Sequence, residues 1–378
     1  MMHLVIFMQN PRFGYSGGRY HALILAEAFA ARGNNVTILS NSYTEVFDDF
    51  DNLPGHNRIN FVVTKKFNYE LYVNQANIVL IIPSMAKDEA LYLRACECTS
   101  QYSARLVLLN FESPNWFNSL SPTPRDFSLW DLWHKYAKPA SVILCSAKES
   151  VRFAKEYYEV DKETTLFRSC PPAINDFADR NESNISREKR ILIFARFTWA
   201  EQKGCTDLRK FIRREFKGYT LVVVTGLGGF PKDKEKEIVA SAKEEGMAID
   251  LYESLSERDK VREVKRSSLV IFPSYFEGFG YPPVEAMFHK TPCVAFDLPV
   301  LREFTDKFTY WAPIGDWEAF IGAMVEALKI GFKSSALNYF VSNRQFTLNS
   351  FGKRLERIFR EAQKLSVNKN LEKICPPK

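Results

Sequence analysis

No apolar run in the 378-residue chain approaches the ~18 residues that a membrane-spanning helix needs; the longest, such as NIVLIIP and SLVIFP, fall far short. No integral membrane segment is expected. A basic leader followed by a long apolar region is also missing from MMHLVIFMQNPRFGYSGG, so a secretory signal is not expected and a cytoplasmic setting is. There is no short internal period, which excludes solenoids and propellers. The cysteines (Cys96, Cys98, Cys145, Cys170, Cys205, Cys293, Cys375) are odd in number and form no pair of CxxC motifs at zinc spacing, which fits a reducing compartment. Cys96 and Cys98 flank Glu97, but on a helix they point about 200 degrees apart and read as ordinary small residues rather than metal ligands.

A broad charge of one sign is missing too. Residues 1–170 carry 17 Lys+Arg against 17 Asp+Glu, and the last 28 residues, with eight against three, supply most of the net +6. The basic character belongs to the tail. That argues against a nucleic-acid face and leaves one candidate for weak contact with an acidic membrane surface, beside the plainer reading of a solvated helix face with a frayed end.

What is present is enough apolar residue, 46%, to give two ordinary domains a core each. Short apolar runs bounded by turn residues alternate with helical stretches, the pattern of buried parallel strands in an α/β sheet. HLVIF, NVTIL, NIVLII, RLVLL and SVILC are the strands of the first half, and ILIFA, LVVVT, AIDLY, LVIFP and PCVAF those of the second. Between them SCPPAINDFADRNESNISREKR, with its Pro, Asn, Ser and charge, reads as a linker. Ala22, Leu25, Ala26 and Phe29 mark the first helix, with Gly33 placed to end it. Near the end, Phe351, Leu355, Ile358 and Phe359 form an apolar stripe that must pack on something. The expected organisation is two Rossmann-like parallel-sheet domains, 1–172 and 191–345, a linker 173–190, a helix 346–366 and a basic tail 367–378.

Four stretches carry candidate chemistry. In GYSGGR, Gly14, Gly17 and Gly18 precede the first helix, where bare backbone and a helix N-terminus favour an anion, although a tight turn uses the same residues. TGLGGF follows LVVV, but Pro231 stands where a dinucleotide fingerprint needs its last glycine. In ARFTWAEQKG, Arg196 and Lys203 follow a strand and suit a diphosphate clamp, fork and point charge; each alone also reads as a surface charge. In FEGFGYPPVEAM, Glu277 stays in a loop while Pro282 or Pro283 opens a helix that carries Glu285, with a flexible Gly-Phe-Gly turn between the carboxylates. This grip suits a polyol. The competing reading has Glu285 complement the helix dipole and Glu277 cap the turn.

At these residues the chain resembles family 4 of the glycosyltransferases, the retaining, nucleotide-sugar-dependent group with the GT-B fold. The resemblance implies two Rossmann-like domains facing a cleft, the first binding acceptor and the second the nucleotide sugar, with the last helix crossing back to the first. It implies that Glu285 holds the ribose, that Glu277 and the amides of Gly278, Phe279 and Gly280 meet the donor sugar, and that Arg196 and Lys203 stabilise the departing diphosphate. Gly17 and Gly18 would approach that diphosphate, and Tyr252 the base. Three departures stand out: the Arg196 to Lys203 spacing is about two residues longer than usual, Lys290 replaces a frequent glycine, and Glu112 in NFESPNWF stands where many members have histidine.

The implied catalytic set is Arg196, Lys203, Glu277 and Glu112, with Glu112, Asn115, Trp116 and His134 on the acceptor side. Core packing competes for Trp116, Trp130 and Trp133, and a structural hydrogen bond for His134 and His289. The expected partners are a nucleoside-diphosphate sugar and a saccharide, lipid-linked or small-molecule acceptor; no metal or other cofactor is expected. An epimerase or phosphorylase on the same fold, or a non-catalytic sugar-nucleotide sensor, is the alternative.

Overall fold

The computed structural model describes residues 1–10, 17–86, 88–174, 185–197, 200–226, 229–333, 343–366 and 368–374. Gly14 and Cys375 lie outside them. The chain divides into two compact units, Met1–Ser119 with Pro124–Asn175 and Gln345–Lys378, and Leu120–Thr123 with Asp176–Arg344.

Unit 1 runs β1 (His3–Met8), α1 (Gly17–Ala30), β2 (Asn35–Ser40), β3 (Ile59–Val63), β4 (Ile78–Ile82), α2 (Glu89–Gln101), β5 (Arg105–Asn110), α3 (Pro114–Leu120), α4 (Asp131–Ala137), β6 (Val142–Cys145), α5 (Lys148–Tyr157) and β7 (Leu166–Ser169). Its seven strands are parallel, in the order β3-β2-β1-β4-β5-β6-β7. Val5 of β1 pairs with Thr37 on one side and Val79 on the other. The central strands are covered on both faces, which is why they read as continuous apolar runs. Cys96 and Cys98 both lie buried on α2.

Unit 2 repeats the plan with β8 (Glu188–Ala195), α6 (Ala200–Lys203), β9 (Thr220–Thr225), α7 (Lys232–Glu244), β10 (Ala248–Tyr252), α8 (Glu257–Arg266), β11 (Ser267–Phe272), α9 (Tyr281–Phe288), β12 (Cys293–Phe296), α10 (Pro299–Thr305), β13 (Thr309–Ala312) and α11 (Trp317–Ile330). The order β10-β9-β8-β11-β12-β13 is again parallel. One core of Ile191, Ile193, Leu221, Val223, Leu269, Ile271, Phe296 and Phe320 lies under one face of the sheet. β8 begins at Glu188, inside the expected linker.

After unit 2 the chain returns to unit 1 as α12 (Leu348–Gln363) and α13 (Lys369–Ile374). The apolar stripe finds its partner in α1: Phe359 meets Phe29 edge to face, ring centres 5.3 Å apart, and Phe351 meets His21 at 6.0 Å. Glu356 accepts from Asn34 at 2.9 Å and pairs with Arg32 at 3.3 Å. The helices approach so closely that a Cβ on Gly352 would lie 2.3 Å from the carbonyl oxygen of Ala28. The tail departs from the frayed end expected of it, because α13 buries Leu371 and Asn368 donates to the carbonyl of Lys138 at 2.8 Å.

On the opposite side of α1 from its apolar packing, the Glu27 carboxyl sits 2.8 Å from Nδ1 of His56. Burial raises the Glu27 carboxyl to about 8 and lowers the His56 imidazole. Both groups are therefore neutral near pH 7, and the contact is a carboxyl O–H donating to the ring nitrogen rather than an ion pair.

Two outcomes follow from this packing. Gly352→Ala forces α12 off α1 and is expected to lower stability by about 1–3 kcal/mol, read as a fall in melting temperature. Because the folded Glu27 binds its proton more tightly than the unfolded chain does, its contribution is complete below about pH 4 and is lost as pH rises through about 8. The melting temperature of the wild type should therefore fall relative to that of Glu27→Gln between about pH 5 and pH 8; parallel curves would contradict the neutral pair.

Candidate functional site

Each sheet reverses its strand order once, between β1 and β4 in unit 1 and between β8 and β11 in unit 2. Neighbouring strands there send their following segments to opposite faces, which leaves a crevice outside their carboxyl ends, where ligands of open α/β sheets bind. The ARFTWAEQKG stretch leaves β8 and the FEGFGYPPVEAM stretch leaves β11, so both sit at the reversal of unit 2.

Backbone geometry clips the two stretches together. The carbonyl of Gln202, in α6, accepts from the amide of Tyr275 at 2.8 Å and from the hydroxyl of Ser274 at 3.3 Å. The Gln202 side chain donates to the carbonyl of Phe276 at 3.3 Å. Gly204, at φ +64, passes so close to β11's exit that a Cβ would lie 2.1 Å from the carbonyl oxygen of Pro273. Held this way, Lys203 forms a close ion pair with Glu277, 74 residues away, with side chains only 21% and 13% exposed. Arg196 directly follows β8 and is partly buried. Lys203 thus lies against Glu277 despite the longer spacing from Arg196.

The Gly-Phe-Gly turn is less slack than its composition suggests. The ring of Phe279 is buried against Tyr281 and Phe304, each 5.0 Å away. Gly280 is the N-cap of α9 at φ 84, and a Cβ there would meet Leu301 at 2.2 Å. Pro282 and Pro283 open the helix as expected. No acidic residue lies in its first turn and no side chain caps it, so neither glutamate serves α9 as dipole partner or cap.

Glu285 instead points into a buried cluster of charge. Its Oε1 accepts from Nζ of Lys260 on α8 at 2.9 Å, and the same ammonium binds Glu257 one turn earlier on α8. Burial pulls the Lys260 ammonium down, but the two carboxylates outweigh it and hold the group above the ordinary lysine range. The sequence reading missed Lys260. Its signal was the Glu257–Lys260 spacing on a helix whose Val261 and Val264 face the core; a lysine there is read as solvated by default.

At the other end of α9, Lys290 occupies the left-handed region at φ 57. That is the conformation for which glycine is preferred after a helix, so the lysine found in its place carries the strain at the helix end. His289 closes α9 through its amide, bonded to the carbonyl of Glu285 at 2.9 Å.

Tyr252 lies elsewhere in unit 2, and the remaining candidates belong to unit 1. Tyr252 ends edge strand β10, three strand spacings from β11, roughly 14 Å. In unit 1, Gly17 opens α1 with empty space where a Cβ would lie, whereas Gly18 is pressed against Phe111, 3.0 Å from its would-be Cβ. Glu112 follows β5 and pairs with Arg125 at 3.5 Å, and that guanidinium lies over the ring of Phe117; Arg125 too escaped the sequence reading. Asn115 donates to the carbonyl of Phe153 at 3.3 Å, while its Oδ1 is buried without a partner among the described residues. Trp116 must be corrected: it is 1% exposed and stacked on Phe153, so it presents no free face to an acceptor. Trp130 and Trp133 are core residues as well. His134 lies half-buried against the rings of Tyr157 and Tyr158. Among the described residues, no three of His, Cys, Asp and Glu gather as a metal site, and no helix is long and apolar enough to cross a membrane.

Known proteins share the fold and part of the sequence. Residues 175–344 match the family described as "Glycosyl transferases group 1". The chain is 27% identical over 217 residues to the O-antigen chain mannosyltransferase RfbU of Salmonella typhimurium, covering 56% of this chain and 57% of that one. It is 31% identical over 112 residues to the serotype-specific mannosyltransferase WbdA of Escherichia coli, covering 30% of this chain and 14% of that protein. The chain thus spans little more than half of the first relative and a small part of the second. In three dimensions it resembles sucrose-phosphate synthase from Thermosynechococcus elongatus, with a TM-score of 0.70 at 13% identity over 96% of this chain and 99% of that one. Anabaena Alr3699/HepE in complex with UDP-glucose gives 0.68 at 12% identity over 96% and 100%. The fold is GT-B.

The Lys203–Glu277 pair gives a direct test of the clip. Lys203→Met leaves a mostly buried carboxylate without its cation and should cost more stability than Lys203→Met with Glu277→Gln. Thermal unfolding of the four chains should yield a coupling of about 1 kcal/mol, and additive effects would show that the pair is not formed.

Proposed function

We propose that this protein is a retaining glycosyltransferase that moves a hexose from a nucleoside-diphosphate sugar to a saccharide, lipid-linked or small-molecule acceptor. The observation that carries this reading is the meeting of Lys203 and Glu277 at the strand reversal of unit 2, with Arg196 directly after β8, the strand that leads to Lys203. A leaving diphosphate gains charge as the glycosidic bond breaks, and fixed cations there stabilise the transition state more than the ground state. An ammonium has three donors, so Lys203 can keep Glu277 and still take a phosphate oxygen. Glu277 uses its other oxygen and the amides of Gly278, Phe279 and Gly280 to fix the sugar, and Glu285 takes the ribose. In this reading the cations supply what a metal would otherwise provide, and none is required.

Retention follows if the acceptor hydroxyl attacks from the face that the diphosphate leaves, giving its proton to a donor phosphate oxygen. Glu112, turned to Arg125, is then an aid in shaping the acceptor side rather than the base. Both curated relatives are named as mannosyltransferases, which makes a mannose donor the first to try and an O-antigen-like saccharide the first acceptor. Work at the inner face of a membrane fits such an acceptor.

Incubation with uridine, guanosine and adenosine diphosphate sugars, with and without acceptor, should give acceptor-dependent release of nucleoside diphosphate and a product of unchanged anomeric configuration. A protein that binds a nucleotide sugar but never turns it over would instead be a sensor. Arg196→Ala should lower kcat by roughly 100-fold or more with little change in melting temperature; undiminished turnover would remove Arg196 from the clamp.

A further inference from the structure

Arg19 has no part in the functional reading so far. It lies in the first turn of α1, which carries no acidic residue, and its Nε donates to the carbonyl of Gln9 at 2.7 Å while Nη2 closes on the same oxygen. A guanidinium has five N–H donors; two are spent on that oxygen, and the other three meet no partner among the described residues. Arg19 keeps part of its surface in solvent, yet protein encloses the guanidinium closely enough for burial to pull it down to about 10, still charged at pH 7. Among the described residues no carboxylate offsets that cost; beside burial, the group that acts on its charge is the phenol of Tyr92. Glu112, after β5, already faces Arg125.

The place is the strand reversal of unit 1. Met8 of β1 pairs with Ile82 of β4, so Gln9 and Ser84 stand at the exits of the two strands where the order turns back, the position at which open α/β sheets hold ligands. Tyr92 is fixed there through Ser84, whose amide donates to the phenol oxygen at 3.2 Å, and the indole of Trp133 donates to the Ser84 carbonyl at 3.1 Å. Oε1 of Gln9 is buried without a partner among the described residues. The exit of β1 thus sets the N–H donors of a cation beside an acceptor that a hydroxyl satisfies, and the N-terminus of α1 adds its dipole in favour of negative charge.

We infer that Arg19 binds a phosphate of the acceptor, and that the acceptor is therefore a phosphorylated saccharide rather than a neutral one. The inference rests on the proposed transferase reading, in which unit 1 takes the acceptor. An enclosed cation without a counter-charge is costly to fold, which a bound anion offsets, and a guanidinium presents its N–H groups in a plane that matches two oxygens of a phosphate. The leaving diphosphate already has Lys203 and Arg196 in the proposed clamp, which leaves Arg19 for the other substrate.

Calorimetry on the full chain compares mannose 1-phosphate with methyl α-mannoside, its neutral counterpart, and circular dichroism shows whether each variant is folded. Wild type should bind the phosphate about 10-fold or more tightly than the neutral sugar. Arg19→Met should raise the Kd of the phosphate about 10-fold or more, to the level of the neutral sugar, and leave that of the best-bound of uridine, guanosine and adenosine diphosphate within about 3-fold. Arg19→Lys keeps the charge without the fork and should fall between; it carries the test if Arg19→Met does not fold. Mannose 1-phosphate should also raise the melting temperature of wild type and not that of Arg19→Met, a difference that a merely structural arginine does not produce. Mannosyl dodecyl phosphate, a diester, distinguishes the sources of the phosphate: binding as tight as that of the monoester and equally dependent on Arg19 assigns a lipid-linked acceptor, and loss of binding a free sugar phosphate. No preference for the phosphate in wild type, or a preference that survives in Arg19→Met, overturns the inference; so does a loss confined to the nucleoside diphosphate, which would make Arg19 part of the donor site. If the phosphate is bound through Arg19 but no nucleotide sugar is turned over with any acceptor, the transferase reading fails while Arg19 remains a phosphate site.

Discussion

One carbonyl group organises the candidate site. The oxygen of Gln202 accepts two bonds from the segment that leaves β11, and through it the exits of two adjacent parallel strands become a single surface. Everything ionic at the site depends on that register. A long lysine side chain loses much rotamer freedom when it is fixed, and it stays fixed only where the backbone beneath it is already held. Lys203 is such a case, because its own carbonyl neighbourhood is tied to residues 273–276 before its ammonium meets Glu277. The ordering cost is met by main-chain bonds, so the ion pair need contribute only direction and charge.

Electrostatically the candidate carboxylates of each unit are paired rather than isolated. Glu277 faces Lys203, Glu285 faces Lys260, and Glu112 faces Arg125. A carboxylate that already has a cation on one oxygen is oriented, and its remaining lone pairs project in a defined direction. Read from the sequence, the same glutamates were two carboxylates separated by a turn. Their partners come from elements 74 and 25 residues distant, and no local pattern links them.

Edge strand β10 excepted, which reads as AIDLY, the strands that the sequence showed lie inside their sheets. β1, β4, β5, β8, β9 and β11 lie inside their sheets, covered on both faces, and stand out as apolar runs. β3, β7 and β13 were missed, and all three are sheet edges. In β7 every residue is only partly buried, and β3 alternates with exposed positions, so neither has the composition of a core strand. At the site, the motif residues were legible because their neighbours are glycine and proline, which mark backbone constraint. Lys260 and Arg125 were not, since lysine and arginine are ordinary surface residues until a fold encloses them. Trp116 was misplaced for the opposite reason: an aromatic near an expected site looks like a stacking platform, and only the packing against Phe153 shows which faces are already covered.

The return of the chain to α1 has a consequence for how the molecule is made. Apart from Leu120–Thr123, unit 2 lies in the sequence between residue 175 and the last two helices of unit 1. A ribosome therefore delivers all of unit 2 before it delivers Phe351 and Phe359, and until then Phe29 and His21 lack the rings that cover them. The first half of the protein is the last to be finished.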